Sequence, residues 1–591
     1  MPSGEPEKYS MKRIIPVSLL TLFICAASCP AKAPKGESIE LKSAAKSVIN
    51  VSVDGSPVKV TWYVDNYVTR PNRPEDQKIN IYIPQNATKS SPIIFYVNNA
   101  GWTANSYPSG TIREGQDYNG TSDKVGVALK EGYVVVSYGG RSRGNGLTGD
   151  KYLGHSPAIM TDTKAAIRYL RHNKKVLPAG DTDKIIITGT SGGGALSTVV
   201  AASGNSPDYY PSLYEIGAAG ITRNPDGSFS SAPGYGDEIF GVIAYCPITD
   251  LGHGCAAYEW LFHDTRKVMY LTGEMNYPAA DEKTVMKASA ELAAIYADYI
   301  DGLGLRDKNG ELITSKNLRE HITELMEEEI AKSIKEYGVE KMKEDLTQEI
   351  RSRGFGGMMG GGRPQGGGAP QMGGNRPQGG GAPQMGGERG GQNGQNNPSE
   401  NQSSAQHRVS NGWVTFGDDG SFTYDLDKHL YYLAKYTTLK VAPAFSNLGL
   451  YPSGQNEDSL FGSEADEYSP FNAYSWDNDS KANGVGKDDT GLSWEEFLST
   501  EDGKRLSLQI KMTCAMDYIL EGKSDTAPFW YVRHGMDDRD ASFAVETTLF
   551  NAVMSSGKVK DSDVGFAWLK PHSGDYDVPE AYSWLKGVLG E

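Results

Sequence analysis

Residues 189–193 (GTSGG) constrain this chain more than any other stretch, because they form a G-x-S-x-G motif between two recognisable elements. The apolar run at 185–187 predicts a buried strand before the motif, and the small residues of 194–202 predict a helix after it. A tight turn from strand to helix lifts a serine hydroxyl above the edge of a sheet. We therefore predict Ser191 to be a nucleophile. The alternative, a glycine-rich turn that binds a phosphate, is disfavoured because the spacing matches neither phosphate-binding fingerprint.

The surrounding sequence alternates between apolar runs and helical spacing, which predicts an α/β fold. Buried strands are predicted at 79–83, 93–97, 134–136, 185–187 and 239–245, and again at 529–532 and 564–569. This order is typical of a mainly parallel sheet. A hairpin is also predicted ahead of these strands, at 48–53 and 58–64. Counted from 58–64, the sheet is interrupted after its sixth strand by a large insertion. We divide the chain into a first core segment (46–250), the insertion (251–520) and a second core segment (521–591).

The insertion is rich in helix formers and in acidic residues, so we expect it to be mostly helical. Residues 320–351 carry apolar side chains at helical spacing in a charged stretch. Further on, residues 363–375 (RPQGGGAPQMGGN) recur almost unchanged as residues 376–388. A segment with so little apolar content cannot offset its ordering entropy. We predict that residues 354–406 form a disordered, glycine-rich loop.

A serine nucleophile needs a base, and the base needs an orienting acid. In folds with this motif the chain order is serine, acid, histidine, and among the nine histidines only His572 follows the last predicted strand. The preceding strand is followed by an H-G-x-x-D pattern that selects Asp538 as the acid, with Asp537 as the alternative. His534, which opens that pattern, is interpreted as a turn residue packed at the strand end.

The negative charge that develops on a substrate oxygen needs two backbone donors. One donor is predicted to be the N–H group of Gly192, the residue after the nucleophile. The second should come from residues 98–102 (NNAGW), which follow the third strand and whose small residues let the backbone approach a ligand. Ala100 and Gly101 are both candidates for this second donor.

Composition excludes several classes of function. The chain has 58 basic and 74 acidic residues, with a formal net charge of −16. No basic stripe is available to displace counterions from phosphates, so nucleic acid is not expected as a partner. The sequence has no HExxH motif, and the spacing of its cysteines and histidines matches no zinc site. We predict neither a metal nor another cofactor.

The N-terminus is typical of an export signal. A basic pair at 12–13 precedes an apolar run at 14–27 that is too short to span a bilayer comfortably. Residues 26–29 (AASC) resemble a bacterial lipobox, which makes Cys29 the candidate lipidation site. The alternative is ordinary cleavage without a lipid. We expect an exported protein that is lipid-anchored to the bacterial envelope or, in the alternative, periplasmic or secreted.

We assign residues 1–28 to the signal peptide and residues 29–45 to a linker. An exported protein meets an oxidising compartment. Cys246 and Cys255 are close enough in sequence to pair there, which would leave Cys514 free. The alternative is that all three are buried thiols, since cysteine is among the most buried residue types.

Residues 164–203 (KAAIRYLRHNKK…DKIIITGTSGGGALSTVVAAS), the AYCPITD at 244–250 and the D-R-D at 538–540 resemble the bacterial tannases of subtype B. The resemblance covers most of the chain from about residue 45, apart from the glycine-rich loop. It implies an α/β-hydrolase fold with a large lid and the cleavage of galloyl esters. Fungal-type tannases and their bacterial subtype A relatives place cysteines beside the serine and histidine, where this chain has Thr190 and Pro571.

The resemblance also implies which further residues touch the substrate. In subtype B tannases the second Asp of D-x-D contacts galloyl hydroxyls, and this position matches Asp540. An Asp two residues beyond the triad acid can lie near the same pocket and accept hydrogen bonds from a phenol. The family also uses a Lys and a Glu of the lid, which match Lys440 and Glu457. The alternative for these two residues is a solvated charge.

The resulting hypothesis is a serine esterase that hydrolyses phenolic, galloyl-type esters through an acyl-enzyme. Its partner would be a small aromatic ester, and it would touch a membrane only through the N-terminal lipid. The alternatives are a feruloyl or general carboxylesterase, a serine peptidase with the same triad, and an inactive hydrolase fold that serves as a surface-binding lipoprotein. The complete order of serine, acid and histidine disfavours the inactive scaffold.

Overall fold

The computed structural model of the protein describes residues 39–105, 111–275, 281–347, 349–350, 406–407, 412–446, 457–478 and 487–591, with residues 349–350, 406–407 and 488–489 described only by their backbone. The predicted signal peptide, Cys29 and residues 354–405 of the predicted glycine-rich loop lie outside this part of the chain. Within it, no helix combines the length and the apolar character that crossing a membrane requires.

A ten-stranded sheet forms the centre of the described structure. Nine of its strands have at least five residues: β1 (Ala45–Val53), β2 (Ser56–Asn66), β3 (Lys78–Pro84), β4 (Ile93–Val97), β5 (Val134–Tyr138), β6 (Ile185–Thr190), β7 (Gly241–Tyr245), β8 (Phe529–Gly535) and β9 (Asp561–Ala567). Their spatial order is β9-β8-β7-β6-β4-β5-β3-β2-β1, and the short strand Asp117–Tyr118 extends the edge beside β1. Strands β4 to β9 are parallel, whereas β1, β2 and β3 form an antiparallel edge. The predicted α/β fold with a mainly parallel sheet is confirmed.

Helices cover both faces of the sheet, which is why β4, β5 and β7 are buried along their whole length. Side chains of Ala158–His172, Gly192–Ala202 and Phe543–Ser555 pack on one face. Lys124–Glu131 and Val578–Leu589 pack on the other. The alternation along β4 shows the two layers, because Ile93 and Phe95 belong to the first core and Ile94 to the second.

Shorter elements connect these layers. The structure has one further short helix in the core, Tyr210–Glu215, and 3₁₀ turns at Leu41–Ser43, Ala100–Trp102 and Pro207–Tyr209. Small antiparallel hairpins join Leu147–Thr148 to Lys151–Tyr152 and Ile221–Arg223 to Phe229–Ser231.

The insertion enters after β7, which is the sixth strand when counting starts at β2, and the chain rejoins the sheet at β8. Its described helices are Leu251–Thr272, Glu282–Leu303, Leu318–Tyr337, Val339–Asp345, Leu426–Tyr436, Ala473–Asn478, Lys487–Thr490, Trp494–Leu498, Glu501–Lys511 and Ala515–Glu521, with a 3₁₀ turn at Glu457–Leu460. The strands Val414–Phe416 and Phe422–Tyr424 form a hairpin. Glu349–Ile350 pairs with Gln406–His407, so Gln406, which we predicted to end the disordered loop, lies in a strand.

The three described cysteines are buried free thiols, so the predicted alternative of a Cys246–Cys255 disulfide is wrong. The two side chains serve different contacts. The thiol of Cys246, just after β7, donates to the carbonyl of Ser573 at 3.3 Å. Cys255 accepts from the N–H group of Phe445 at 3.4 Å within the insertion.

Candidate active site

The backbone at Ser191 makes a strained turn between β6 and the following helix. Ser191 has φ 62° and ψ −125°, a combination that L-residues seldom adopt. Two backbone hydrogen bonds hold it there: its N–H group donates to the carbonyl of Tyr245 at 2.9 Å, and its carbonyl accepts from Ile248 N–H at 3.3 Å. The loop after β7 therefore fixes the serine at the carboxyl end of the sheet, as the motif predicts.

Ser191, His572 and Asp538 are in one hydrogen-bonded line. His572 Nε2 lies 2.8 Å from Ser191 Oγ, and His572 Nδ1 lies 2.7 Å from Asp538 Oδ2. Asp538 follows β8, and its N–H group bonds to the carbonyl of Gly535 at 3.0 Å. His572 belongs to the loop after β9, which comes so close to the nucleophile turn that a Cβ on Gly574 would overlap the hydroxyl of Thr190. The alternative acid Asp537 instead faces that loop, where its N–H group donates to Lys570 O at 3.0 Å.

The charges of this line support a base that is oriented by a carboxylate. Asp538 is fully buried, which by itself opposes ionisation, but the neighbouring imidazoles of His572 and His534 hold its pKa well below the ordinary value. Burial by itself lowers the pKa of His572, and the Asp538 carboxylate more than reverses this effect, so the pKa of His572 is raised. Asp538 therefore stays ionised, and in this arrangement it can stabilise an imidazolium on His572.

The loop after β4 packs directly against the first residue of the nucleophile helix. A Cβ on Gly192 would overlap the backbone nitrogen of Trp102 and would lie 2.7 Å from Asn99 O and 2.9 Å from Gly101 N. The N–H group of Gly192 belongs to the first turn of its helix, where helix geometry supplies no acceptor. Of the two candidates for the second donor, the structure brings the nitrogen of Gly101 close to Gly192, together with that of Trp102.

Sequence reasoning missed the residues that brace this loop. Trp102 is fully buried with φ 58°, and its indole N–H donates to Ile248 O at 2.9 Å. Arg143, from the loop after β5, donates through Nε to Gly101 O at 2.7 Å. Ser142 Oγ donates to Trp102 O at 2.6 Å. Trp102 could have been singled out from the sequence, because it is the large aromatic residue in a loop of small residues. Nothing in the sequence links Arg143 to position 101.

Asp540, Lys440 and Glu457 all lie in or beside this site. A carboxylate oxygen of Asp540 is within 4.8 Å of both Asp538 and a ring nitrogen of His572. Lys440 is 5% exposed, and its Nζ lies 4.5 Å from the ring centroid of Phe445. After the larger effects of burial and of Asp538, Asp540 raises and Lys440 lowers the pKa of His572, so both charges act on the base.

Tyr258, in the insertion helix Leu251–Thr272, connects Lys440 to the turn that carries Asp540. The hydroxyl of Tyr258 donates to Arg539 O at 2.8 Å and accepts from the N–H group of Lys440 at 3.1 Å. Glu457 is 4% exposed, and its Oε1 lies 3.4 Å from Arg143 Nη2. The lid carboxylate is therefore connected to the arginine that braces the loop after β4. Neither contact could be read from the spacing of these residues in the sequence.

Two buried carboxylate oxygens at the site have unused capacity to accept hydrogen bonds. Asp540 Oδ1 and Glu457 Oε2 are buried and accept no hydrogen bond from any residue that the structure describes. The contact recorded for Asp540 Oδ1 is a 3.5 Å ion pair with Arg539 Nε. Buried acceptors of this kind lose free energy unless a partner satisfies them.

Two sets of side chains converge closely enough to suggest metal ligands: Asp538, Asp540 and His572, and Cys246, His534 and Asp538. Both sets share Asp538, whose Oδ2 bonds to His572 Nδ1 and whose Oδ1 accepts from the N–H group of Asp540 at 2.8 Å. These hydrogen bonds account for the convergence of the first set.

His534 is not a turn residue, as we predicted, but the penultimate residue of β8. It is fully buried, with Nε2 at 3.6 Å from Asp538 Oδ2 and Nδ1 at 3.6 Å from Glu546 Oε1. The prediction was wrong because the strand runs to Gly535, which places His534 inside the sheet behind the acid.

Comparisons with known proteins agree with this architecture. A family model described as BD-FAE matches residues 79–271, a range that includes Ser191. No curated protein matches the sequence. The chain is similar to the solved tannase of Fusobacterium nucleatum, with a TM-score of 0.63, 24% identity and coverage of 94% of this chain and 100% of that one.

It is also similar to the tannase from Lactobacillus plantarum, with a TM-score of 0.63, 22% identity and coverage of 93% and 99%. A tannin acyl hydrolase in complex with ethyl gallate gives a TM-score of 0.62 at 23% identity, with coverage of 93% and 98%. The likeness that the sequence motifs implied therefore extends over nearly the whole chain, which has the α/β-hydrolase fold of the bacterial tannases.

Proposed function

We propose that this protein is a serine esterase that hydrolyses esters of hydroxylated aromatic acids, with galloyl esters as the preferred class. One observation carries the proposal: the half-buried carboxylate of Asp540, whose buried oxygen Oδ1 accepts no hydrogen bond from the described residues, lies within 4.8 Å of a ring nitrogen of His572. A pocket for a simple acyl group has no need of such an acceptor. A ring that bears hydroxyl groups supplies the missing donors.

The chemistry follows from the line of Ser191, His572 and Asp538. Ser191 Oγ attacks the ester carbonyl while His572 Nε2 takes its proton. The tetrahedral intermediate collapses to an acyl-enzyme, and His572 returns the proton to the departing alcohol. Water then attacks the acyl-enzyme by the same route and releases the aromatic acid. The N–H groups of Gly192 and of the 99–102 loop are the proposed donors to the oxyanion.

The nucleophile assignment has a direct test. Ser191→Ala should lower kcat by several orders of magnitude and leave the fold intact, because the variant lacks the oxygen that attacks the ester and no acyl-enzyme can form. A fluorophosphonate probe should label the wild type and fail to label this variant. Labelling that persists in Ser191→Ala would assign the nucleophile to another residue.

Substrate selection is proposed to depend on Asp540, Lys440 and Glu457. The two carboxylates would accept hydrogen bonds from ring hydroxyls, and the ammonium group of Lys440 would donate to a hydroxyl oxygen. Each contact forms only with a substrate that has a hydroxyl at the right place on the ring. A buried acceptor left unpaired costs about 1–3 kcal/mol, which corresponds to about a tenfold to hundredfold loss of kcat/KM.

The decisive experiment compares substrates across variants. Asp540→Ala should lower kcat/KM for methyl gallate much more than for methyl benzoate or p-nitrophenyl acetate. Asp418→Ala removes a fully exposed carboxylate and serves as the control, with no change expected on any ester. Equal losses on all three esters would show that Asp540 supports the triad or the fold, and the protein would then be a general esterase.

A second candidate, a feruloyl esterase, is favoured by the BD-FAE family model over residues 79–271. The same pocket would accept a longer acyl group with one ring hydroxyl and a methoxy group. Wild-type turnover of methyl ferulate and methyl gallate separates the two candidates. A clear preference for methyl ferulate would replace the galloyl assignment while leaving the triad in place.

We also propose that the protein is exported and held at the bacterial envelope by a lipid on Cys29. The proposal is supported by the basic pair, the apolar run and the AASC sequence at the N-terminus. In a detergent-phase partitioning experiment the full wild-type chain should enter the detergent phase, and the Cys29→Ser variant should move to the aqueous phase. Unchanged partitioning would favour release into the periplasm or the medium.

A further inference from the structure

Two buried side chains behind the triad acid have no part in the mechanism above. We propose that His534 and Glu546 are a positioning pair that fixes the Asp538 carboxylate. In this pair Glu546 is a protonated acid that donates to His534 Nδ1, and His534 is a neutral imidazole that donates its Nε2 proton to Asp538 Oδ2. The kinetic part of the inference rests on the proposed esterase function.

The geometry aligns the three side chains in one row. His534 lies in β8 and Glu546 lies in the helix Phe543–Ser555 that packs on the same sheet face. His534 Nε2 is 3.6 Å from Asp538 Oδ2, and His534 Nδ1 is 3.6 Å from Glu546 Oε1. These separations exceed hydrogen-bond length by a few tenths of an ångström, so small side-chain rotations close both contacts.

The Cys246 thiol also lies within 4.8 Å of His534 and Asp538, but neither ring nitrogen of His534 is hydrogen-bonded to it. Both side chains of the pair are fully buried, and neither ring nitrogen of His534 and neither carboxylate oxygen of Glu546 has a hydrogen-bond partner among the described residues. The rings of Phe543 and Phe566 stand edge-on to the His534 ring. Buried polar groups with apolar walls must pair with one another or lose free energy.

The charges select one arrangement of protons. Burial, aided by the charge of Asp538, raises the pKa of Glu546 well above its ordinary value, so its carboxyl group is neutral. Burial lowers the pKa of His534 to about 4, against the opposing effect of Asp538, so its imidazole is also neutral. An ionised Glu546 beside the Asp538 carboxylate would bury a second negative charge. The neutral acid has one proton to donate, which leaves Nδ1 as the acceptor and puts the imidazole proton on Nε2.

Through Asp538, the proposed pair changes the properties of the base, His572. Asp538 Oδ2 accepts from His572 Nδ1 at 2.7 Å and, in this proposal, from His534 on its other side. A second donor stabilises the carboxylate and makes it a weaker partner for the imidazolium of His572. Asp540 and Lys440 also face His572, and Cys246 faces Asp538, but those groups stay in place when His534 changes.

The kinetic experiment compares His534→Leu with His534→Gln on p-nitrophenyl acetate, a substrate without ring hydroxyls. The Gln amide nitrogen takes the place of Nε2 and keeps a donor to Asp538, whereas Leu removes it. We expect His534→Leu to lower kcat about tenfold and to move the acid limb of kcat/KM to higher pH by about half a unit, and we expect His534→Gln to restore both. A folded His534→Leu with an unchanged limb and unchanged kcat would overturn the proposal, because a purely structural role alters stability alone.

Glu546→Leu keeps the inference testable if His534→Leu does not fold, because it removes the acid and leaves the His534 imidazole beside Asp538 in place. Without the Glu546 proton donor, the tautomer of His534 is no longer fixed, so kcat should fall several-fold. An unchanged kcat and pH profile in Glu546→Leu would overturn the proposal.

A readout independent of turnover separates this inference from the proposed function. In protein labelled with ¹⁵N-histidine, the resonance lost in His534→Gln should report a bare Nδ1 and a protonated Nε2. An infrared band of a protonated carboxylic acid should vanish in Glu546→Gln. A doubly protonated His534 would contradict the pair, whatever ester the protein hydrolyses. Conversely, these spectra can hold even if Ser191→Ala retains full esterase activity and the proposed function fails.

Discussion

At the scale of single residues, Asp538 is the one of two adjacent acids whose carboxylate the structure shows hydrogen-bonded to His572. Asp538→Asn should fold normally but lose about 10⁴-fold in kcat, because an amide favours the wrong imidazole tautomer and cannot stabilise the imidazolium. Asp537→Asn changes the neighbouring side chain in the same way and is the matched control, with kcat expected to stay within a few-fold. Steady-state kinetics on p-nitrophenyl acetate measures both. The reverse ranking would assign the orienting acid to Asp537.

The pH dependence belongs to the same scale. In the proposed mechanism His572 acts as a base only when it is neutral, and Asp538 raises its pKa above the ordinary imidazole value against the effect of burial. Protonation therefore inactivates the base at a higher pH than an isolated imidazole would show. We expect the acid limb of kcat/KM to lie above the ordinary histidine pKa in the wild type and to move to lower pH in Asp538→Asn. A limb that stays in place would mean that another group titrates.

At the scale of elements, the contact between the nucleophile helix and the 99–102 loop has no room for a methyl group. The atoms that a Cβ on Gly192 would meet are backbone atoms of Asn99, Gly101 and Trp102, which cannot rotate away. Gly192→Ala should displace the proposed oxyanion donors and lower kcat about 10²- to 10³-fold, with an overpacking cost of about 1–3 kcal/mol in the free energy of unfolding.

A matched substitution controls for the loss of a glycine. Gly587 lies inside the helix Val578–Leu589, and a Cβ there would meet nothing within 4 Å. Gly587→Ala should leave kcat unchanged and raise the free energy of unfolding by about 0.5–1 kcal/mol. Thermal melts and kinetics on both variants provide the comparison. A Gly192→Ala variant as active and stable as the wild type would show that the loop yields to the added methyl group.

At the scale of the whole molecule, the glycine-rich segment is predicted to be dispensable for chemistry, and the structure shows where to cut it. Ile350 pairs with Gln406 in an antiparallel ladder, so the two ends are neighbouring strand residues. Replacing residues 351–405 by the two-residue turn Asn-Gly closes a short hairpin. We expect kcat/KM to stay within about threefold, because the composition cannot support a core. Loss of folding with both this turn and a longer Gly-Ser linker would show that the segment packs.

Local sequence determined the frame of the molecule. Buried strands were predictable at residues 93–97, 134–136 and 185–187 because strands covered on both faces need continuous apolar runs. The nucleophile turn was predictable because a strand, a G-x-S-x-G motif and a helix follow each other without interruption. Asp538 and His572 could be selected because each follows a strand that ends at the same edge of the sheet.

The tertiary structure decided everything that depends on distant segments meeting. Arg143 reaches both Gly101 and Glu457, and Tyr258 joins the turn after β8 to Lys440, although hundreds of residues separate some of these positions. His534 became a buried neighbour of Asp538 only because β8 extends to Gly535 and a helix brings Glu546 against it. A sequence pattern reports burial and turns over a few residues. The pairing of polar groups across the core depends on how the insertion folds back onto the sheet, so it is fixed only when the whole chain has packed.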